Sequence, residues 1–315
     1  MSLIKKMRNS WAADGVRFLK DWIECSRNKY LCERNVEDAI SKWFKKCTGE
    51  QYRRDQPVTF NQKTQWMKVN DSTPLKGRLA DKYLVREYVS EIIGSEYLIP
   101  LLGVYDSVEE INFHELPERC VIKATHGSSW NIVVSPSSAV GWRSIRRKLQ
   151  HWLKTDFSLM NGFEFHYRYC TPRIIIEEYQ KDYASDSLDD YKVYCFNNGS
   201  PVVCVCKDRF SERGVSTAYY DREWSRLPIT DVGEGTFDCP RPPHLKEMVE
   251  MSERLAESFA FVRVDWYETT EGLKFGEMTF TSASGRENFD PPEWNIELGK
   301  RIDLSMVGGR HGVEQ

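Results

Sequence analysis

Between residues 261 and 280 the chain reads FVRVDWYETTEGLKFGEMTF, with apolar and polar positions alternating in period two on both sides of Glu271 and Gly272. That pattern predicts two antiparallel strands joined by a tight turn. On the first, Val262, Val264 and Trp266 point one way and Arg263, Asp265 and Tyr267 the other. On the second, Phe275, Glu277 and Thr279 share one face and Met278 and Phe280 the opposite one. Two carboxylates and a guanidinium on adjacent strands are costly to bury unless they balance one another or a ligand balances them. A structural ion pair and a site for a cation or an anionic ligand both remain open on this stretch.

Elsewhere the period changes. Val16, Leu19, Trp22 and Ile23 fall on one helical face, and Val36, Ile40, Trp43, Phe44 and Cys47 on another after an Asn35 cap, which predicts two core-facing helices. Thr59 and Gln62 have capping-box spacing and open a helix through Trp66. LADKYLVREYVSEIIG is predicted to be one longer helix ending at Gly94, with Leu79, Tyr83, Leu84, Tyr88 and Ile92 inward. Two strands flank the small-residue loop in CVIKATHGSSWNIVV, and a helix through Trp142, Ile145, Leu149 and Trp152 leads to the strand PRIIIEEYQ. DYKVYCFNNGSPVVCVCKDRF is a hairpin about an Asn-Gly turn. Residues 211–243 read as loops with one or two strands, and HLKEMVEMSERLAESF as a helix packing through Leu245, Met248, Val249, Leu255 and Phe259.

Composition narrows the class. The 315 residues carry a formal net charge of -3 and are 40% hydrophobic, enough for a globular core in two or three lobes. A slight acidic balance argues against nucleic acid as the main partner, although Lys5, Lys6, Arg8 and Arg146, Arg147, Lys148 form local basic clusters. Charge interrupts the first residues before an apolar run of signal-peptide length, and no stretch is long enough to span a bilayer, so a cytoplasmic location is expected. The nine cysteines are scattered without a Cys-x-x-Cys; Cys204 and Cys206 are in phase on a strand as two small buried residues, and no zinc is assigned.

In VIKATHGSSWNIVV a lysine leaves a strand into His126, Gly127, Ser128 and Ser129. Such a loop is either a mobile surface turn or a phosphate cover, its backbone N–H groups closing over anions that Lys123 helps neutralise. It is neither a P-loop nor a dinucleotide fingerprint. The order of the pieces says more. DKYLV, IKATHGSSWNIVV, RIIIEEY, DYKVY, RVD and GEMT, in sequence, resemble the ATP-grasp superfamily. FNQKTQW, LADKYLVREYV, IPLLGVYDS, PRIIIEEY, DYKVYCFN and FGEMTFTSASG resemble the TupA-like ATP-grasp family, named for teichuronopeptide synthesis, over roughly residues 57 to 290.

The resemblance implies an α+β ATP-grasp fold, two α+β lobes clasping ATP. Residues 1–80 would be a mostly helical N-terminal region, 81–175 the small lobe with its preceding helix, and 176–315 the large lobe with a C-terminal helix. Lys82 and Lys123 match the lysines that touch the nucleotide's phosphates, with His126, Gly127, Ser128 and Ser129 in the covering loop. Glu177, Glu178 and Tyr179 match the adenine hinge and Asp190 the acid on the ribose hydroxyls. Lys192 points the same way as Asp190 and is a further phosphate ligand or a surface lysine. Asp265, Glu277 and Thr279 match the positions that hold Mg2+, Thr279 departing from the usual asparagine. Arg263 would stabilise the oxyanion; Arg209 is a candidate for the γ-phosphate, and Thr281, Ser282, Ser284 and Gly285 for the acyl phosphate or carboxylate. His126 and His166 are the conceivable general bases.

The activity implied is an ADP-forming carboxylate–amine ligase acting through an acyl phosphate. Its substrates would be a small-molecule or saccharide carboxylate and an amine in capsule or cell-surface polysaccharide synthesis, with a peripheral membrane contact through Leu3, Ile4, Trp11 and nearby lysines as a further possibility. The alternatives are a sugar-hydroxyl kinase with the same grasp, a glycosyltransferase, which the absence of Asp-x-Asp disfavours, and a non-catalytic binding module.

Overall fold

The computed structural model describes residues 11–136, 141–160, 162–182, 188–207, 216–231 and 235–307. Its helices are α1 (Trp11–Thr48), α2 (Phe60–Asn70), α3 (Pro74–Ala80), α4 (Val85–Ile92), α5 (Trp142–Lys154), α6 (Leu245–Ala256) and α7 (Glu293–Lys300). The chain folds as two compact units. One comprises the described residues up to Ile40 with Thr73–Leu84 and Pro100–Tyr179; the other Ser41–Ser72, Val85–Ile99 and the described residues from Gln180 onward.

In the first unit, β1 (Leu101–Tyr105), β2 (Cys120–Ala124), β3 (Asn131–Val134) and β4 (Ile174–Glu178) form an antiparallel sheet in the order β1-β4-β2-β3. Cys120, Ile122, Ala124, Ile174 and Ile176 pack in one core with Ile145, Leu149 and Trp152 of α5. The alternation that puts them there turns Lys123 and Glu177 to the opposite face, where Lys123 lies across from Ile175 and Glu177 from Val121.

The first helix departs from its predicted packing. Asn35 interrupts α1 with φ -165° and ψ 105°, and its side chain accepts from Asp38 N at 2.9 Å, as a cap should. Before it, however, Val16, Leu19, Trp22 and Ile23 are not core but between 51% and 66% exposed. The opposite side packs instead: Phe18 stacks on His151 with centroids 3.9 Å apart, Asp21 pairs with the His151 ring at 2.8 Å, and Asn28 donates to Leu159 O at 2.7 Å. Periodicity located a stripe but not its neighbour. After Asn35, Ile40 and Phe44 are fully buried as expected, whereas Cys47 is exposed. The long helix predicted over LADKYLVREYVSEIIG is two, because Asp81 Oδ1 accepts from Tyr83 N at 2.9 Å and Leu84 N at 3.1 Å and closes a turn between α3 and α4.

The second unit is built on a five-stranded antiparallel sheet, β10-β9-β5-β6-β7, from β5 (Asp190–Phe196), β6 (Gly199–Lys207), β7 (Ser216–Tyr220), β9 (Phe261–Thr269) and β10 (Gly272–Thr279). β8 (Thr230–Asp231) pairs separately with β11 (Phe289–Asp290). Both predicted hairpins form, with Asn197 and Asn198 turning β5 into β6 and Thr270 and Glu271 turning β9 into β10. Gly272 opens β10 at φ +99°, a conformation most residues avoid. One sheet face meets α6, where Trp266 Nε1 donates to Ser252 Oγ at 2.8 Å. On the other, Phe60 and Met67 of α2 and Leu298 of α7 share a core with Tyr194, Cys204, Cys206, Tyr219 and Phe261. Thr59 caps α2, and Gln62 reaches back to Val58 N at 2.9 Å.

The structure departs from simple alternation on one strand face. The register of β10 shifts between Phe275 and Glu277, so Phe275 lies opposite Trp266 on the apolar face while Glu277 lies opposite Asp265. The bulge is at Gly276, where a Cβ would sit 3.0 Å from Asp265 O.

Phe60 is fully buried and packs edge-on to Phe261 with centroids 4.9 Å apart. Phe60→Ala should cost about 3–5 kcal/mol in urea unfolding monitored on this unit, against about 1 kcal/mol for the cap variant Thr59→Ala. Equal costs would show that α2 is held by its end and not by its apolar face.

Candidate active site

The register of the second unit's sheet brings its ionisable residues into line. Lys192 on β5 lies opposite Asp265 on β9, which lies opposite Glu277 on β10; in the next row Tyr194, Arg263 and Thr279 are aligned. Directly opposed residues on antiparallel strands project from the same face. Asp190, two residues before Lys192, joins them and accepts from its Nζ at 3.1 Å.

Arg263 binds both oxygens of Asp265, Nε to Oδ1 at 2.6 Å and Nη2 to Oδ2 at 2.7 Å. The same Nη2 is 3.4 Å from Glu277 Oε1 and 3.2 Å from Thr279 Oγ1, and Nη1 donates to Ser282 Oγ at 2.8 Å. Lys192 Nζ is also 3.5 Å from Asp265. Burial alone would lower the pKa of Lys192 and of Arg263, but Asp265 above all, with Asp190 for the lysine, outweighs it and holds both above their ordinary values. Two permanent cations therefore face three carboxylates, and Glu277 is the most open of these, with a quarter of its side chain exposed. No group of three or more metal-ligating side chains occurs among the described residues.

The loop after β10 rests on the same arginine. Ala283, Ser284 and Gly285 are consecutive left-handed residues, at φ +44°, +56° and +65°, a conformation costly for the first two unless the surroundings impose it. Lys68 and Gln65 of α2 impose it: Lys68 Nζ donates to Ser284 O at 2.7 Å and Ser284 Oγ at 2.9 Å, and Gln65 Nε2 to Gly285 O at 3.0 Å. Lys68 is fully buried and also lies 4.6 Å over the Trp43 ring. Ser282 Oγ donates to Glu287 at 2.6 Å, and Tyr194 OH reaches the same carboxylate oxygen at 3.0 Å. Lys68, Gln65 and Glu287 escaped the sequence reading. Asn61, Gln65 and Lys68 recur at the spacing of an inward helical stripe, but polar residues at that spacing read as a solvated face.

The first unit gathers the other candidates. Lys123 Nζ is 2.5 Å from Glu177 Oε2, both little exposed. Lys82 lies in the turn after α3, and its Nζ donates to Gly127 O at 2.6 Å, so the loop and both lysines are neighbours. Gly127 is required by contact, since a Cβ there would be 2.8 Å from the Trp130 ring and 2.9 Å from that of Phe157. Ser129 takes φ +60°. Glu178 is exposed and its N–H donates to Pro100 O at 3.1 Å, while the Tyr179 ring lies under Arg119. His126 and His166 are both buried. The His126 ring is 2.9 Å from Trp152 O through Nε2, while Nδ1 has no hydrogen-bond partner among the described residues. Arg209 lies outside the described residues.

The model of the TupA-like ATP-grasp family matches residues 62–303. No curated protein matches the sequence. Solved structures similar to the chain include D-alanine–D-alanine ligase from Helicobacter pylori, at 11% identity over 71% of this chain and 58% of that one with a TM-score of 0.40. The ATP complex of D-alanine–D-alanine ligase from Bacillus anthracis is 13% identical over 73% and 65%, with a TM-score of 0.43. A Chryseobacterium gregarium RiPP-associated ATP-grasp ligase is 11% identical over 74% and 61%, with a TM-score of 0.37. The chain spans about three fifths of the length of these structures.

Burial, with a smaller push from Lys82, lowers the His126 pKa from 6.5 to about 4 against the opposing pull of its Trp152 bond and Asp156. The unfolded imidazole protonates near pH 6.5 and the folded one near 4, so between these values the unfolded state holds more protons and stability falls as pH falls. The contribution is full above pH 6.5 and amounts to roughly 3 kcal/mol. His126→Gln should be less stable than the wild type at pH 7, and the gap should narrow at pH 4.5 in denaturant titrations. A gap independent of pH would place His126 elsewhere than this buried setting.

Proposed function

The chain belongs to the TupA-like ATP-grasp family and has its fold, and from that premise we propose that it is an ATP-dependent carboxylate–amine ligase. It would join an amino acid or other amine to a uronic acid or glutamyl carboxylate in capsule or cell-surface polysaccharide synthesis, working in the cytoplasm. The observation that carries this reading is the aligned row Lys192, Asp265 and Glu277 with Arg263 beside it. A row in which carboxylates and cations stand side by side suits a ligand that brings both negative phosphates and a positive ion.

In this reading Lys82 and Lys123 contact phosphate oxygens, and the backbone of His126, Gly127, Ser128 and Ser129 covers them. Glu177 takes the adenine amino group and the backbone of Glu178 and Tyr179 frames the ring. Asp190 holds the ribose hydroxyls, and Lys192 adds charge near the phosphates. Asp265 and Glu277 would hold Mg2+, a hard ion commonly bound by one or two carboxylates with nucleotide oxygens and water completing its shell; Arg263 binds both Asp265 oxygens, and Glu277 is the more open of the two acids. Thr279 brings a hydroxyl in place of an amide. Bound there, the metal would supply charge neutralisation for phosphoryl transfer.

A substrate carboxylate oxygen then attacks the γ-phosphorus, the bond to the bridging oxygen breaks, and ADP leaves. The amine attacks the acyl carbon, phosphate departs, and the nitrogen loses a proton. Both steps bring negative charge together, and Arg263, Lys123, Ser282, Ser284 and Arg209 are the side chains proposed to stabilise it. Arg263 already reaches from Asp265 to Ser282 and so touches both the acids and the loop.

The test is ATP turnover across a panel of uronic acids and amines, with products identified by mass. ADP and phosphate should appear only when acceptor and amine are both present, and hydroxylamine should trap a hydroxamate. AMP with pyrophosphate excludes the ligase; phosphorylated sugar with no hydroxamate favours a kinase. Asp265→Asn should lower kcat/KM by about a hundredfold or more. Retained turnover in that variant would remove the aligned acids from the chemistry.

A further inference from the structure

The outward side of α1 before Asn35 carries chemistry that the proposed reaction does not use. Val16, Leu19, Trp22, Ile23 and Tyr30 are each more than half exposed. At about 3.6 residues per turn they fall within an arc of roughly 120° along about 28 Å of helix from Val16 to Arg34. Its charge is one-sided. Arg17, Lys20, Arg27, Lys29 and Arg34 are exposed on this stretch, against the single exposed acid Glu33. On the helical wheel Lys20 and Arg27 border the apolar arc on one side and Lys29 on the other, and Arg34 falls in line with Val16. Two of the other acids turn inward: Asp14 is buried and accepts from Ser144, and Asp21 pairs with His151, while Glu24 is half-buried. By sequence the ten preceding residues add Lys5, Lys6 and Arg8 and no acid.

We propose that this side of α1 lies on an anionic lipid surface, with Leu19, Trp22 and Ile23 inserted at headgroup depth and the flanking cations on lipid phosphates. An apolar arc containing a tryptophan and edged by Lys and Arg is the pattern of a helix lying in the interface plane. The charge argues against a second copy, because apposing two such faces brings five cations of each against five of the other. Nucleic acid would leave Val16, Leu19 and Ile23 without an apolar partner. No helix of the chain is long and apolar enough to cross a membrane, among the described residues, so the contact is peripheral. The proposal does not depend on the ligase reading.

The test is co-sedimentation of the full chain with vesicles of phosphatidylglycerol and phosphatidylcholine, compared with phosphatidylcholine alone. Binding should require the anionic lipid and weaken with salt. Trp22→Glu with Ile23→Glu, and separately Lys20→Glu with Arg27→Glu, should each weaken it roughly tenfold or more. Since these side chains are exposed, melting temperatures should stay within about 2 °C of the wild type. No sedimentation with anionic vesicles overturns the proposal, as does unchanged binding by the Trp22/Ile23 variant. A dimer in light scattering that this variant dissolves, without vesicle binding, assigns the face to self-association instead.

Discussion

The second unit's ionic cluster depends on one buried guanidinium. Arg263 has little contact with water and spends its donors on Asp265, Glu277, Thr279 and Ser282. Removing either partner of such a pair leaves a buried charge uncompensated, typically at about 3–5 kcal/mol, so the arrangement is held by the cost of its absence as much as by attraction. The strand register decides who those partners are. A shift of one residue in β10 would turn Glu277 to the apolar face, and the bulge at Gly276 is what lets Phe275 and Glu277 face opposite ways although two positions apart.

The strained loop follows from the same arginine. Left-handed Ala283 and Ser284 lie in a turn closed by its own backbone bonds, Ser284 N to Thr281 O and Gly285 N to Ser282 O at 2.7 Å each, and Arg263 on one side with Lys68 on the other adds a tertiary hold. Lys68 donates to Ser284 and to Gln65 and lies over the Trp43 ring, and through the Ser284 carbonyl it ties α2 to the loop backbone. The first unit repeats the theme more simply. Lys123 and Glu177 come together because alternation on β2 and β4 turns both away from the isoleucine core, and Lys82 ties the intervening loop through Gly127.

How much of this was legible in the sequence depended on whether the signal was local. Period-two alternation and turn residues located β5, β6, β9 and β10, and capping chemistry located Thr59 and Asn35, because a few adjacent residues determine each. The grouping of Arg263, Asp265 and Glu277 was visible from alternation, whereas the inclusion of Lys192 and Asp190 in their row needed the pairing of β5 with β9, which lie some seventy residues apart. The face of Phe275 was missed because a bulge costs one register step and leaves only a glycine as its sign. Lys68 was missed because inward-facing polar residues carry the same periodicity as outward-facing ones. Their difference lies in the partners, which belong to Ser284 and Gly285 more than two hundred residues away.

The start of the chain inverts the usual inference from an apolar stripe. Hydrophobic spacing tells which residues share a side of a helix, and the inward side is then assumed to be the more apolar one. In α1 the assumption fails because the inward side has partners that reward polarity: a carbonyl for Asn28, an imidazole for Asp21 and a hydroxyl for Asp14. With acids and amide satisfied there, the bulky apolar residues and the exposed basic ones are left together outside. Aliphatic side chains in water are unfavourable, and five cations along one stretch of helix repel one another, so neither feature helps the isolated molecule. Both liabilities are relieved by one kind of neighbour, a surface that is negative at its edge and apolar just beneath, and that shared relief is why the face is better explained by a lipid interface than by either property alone.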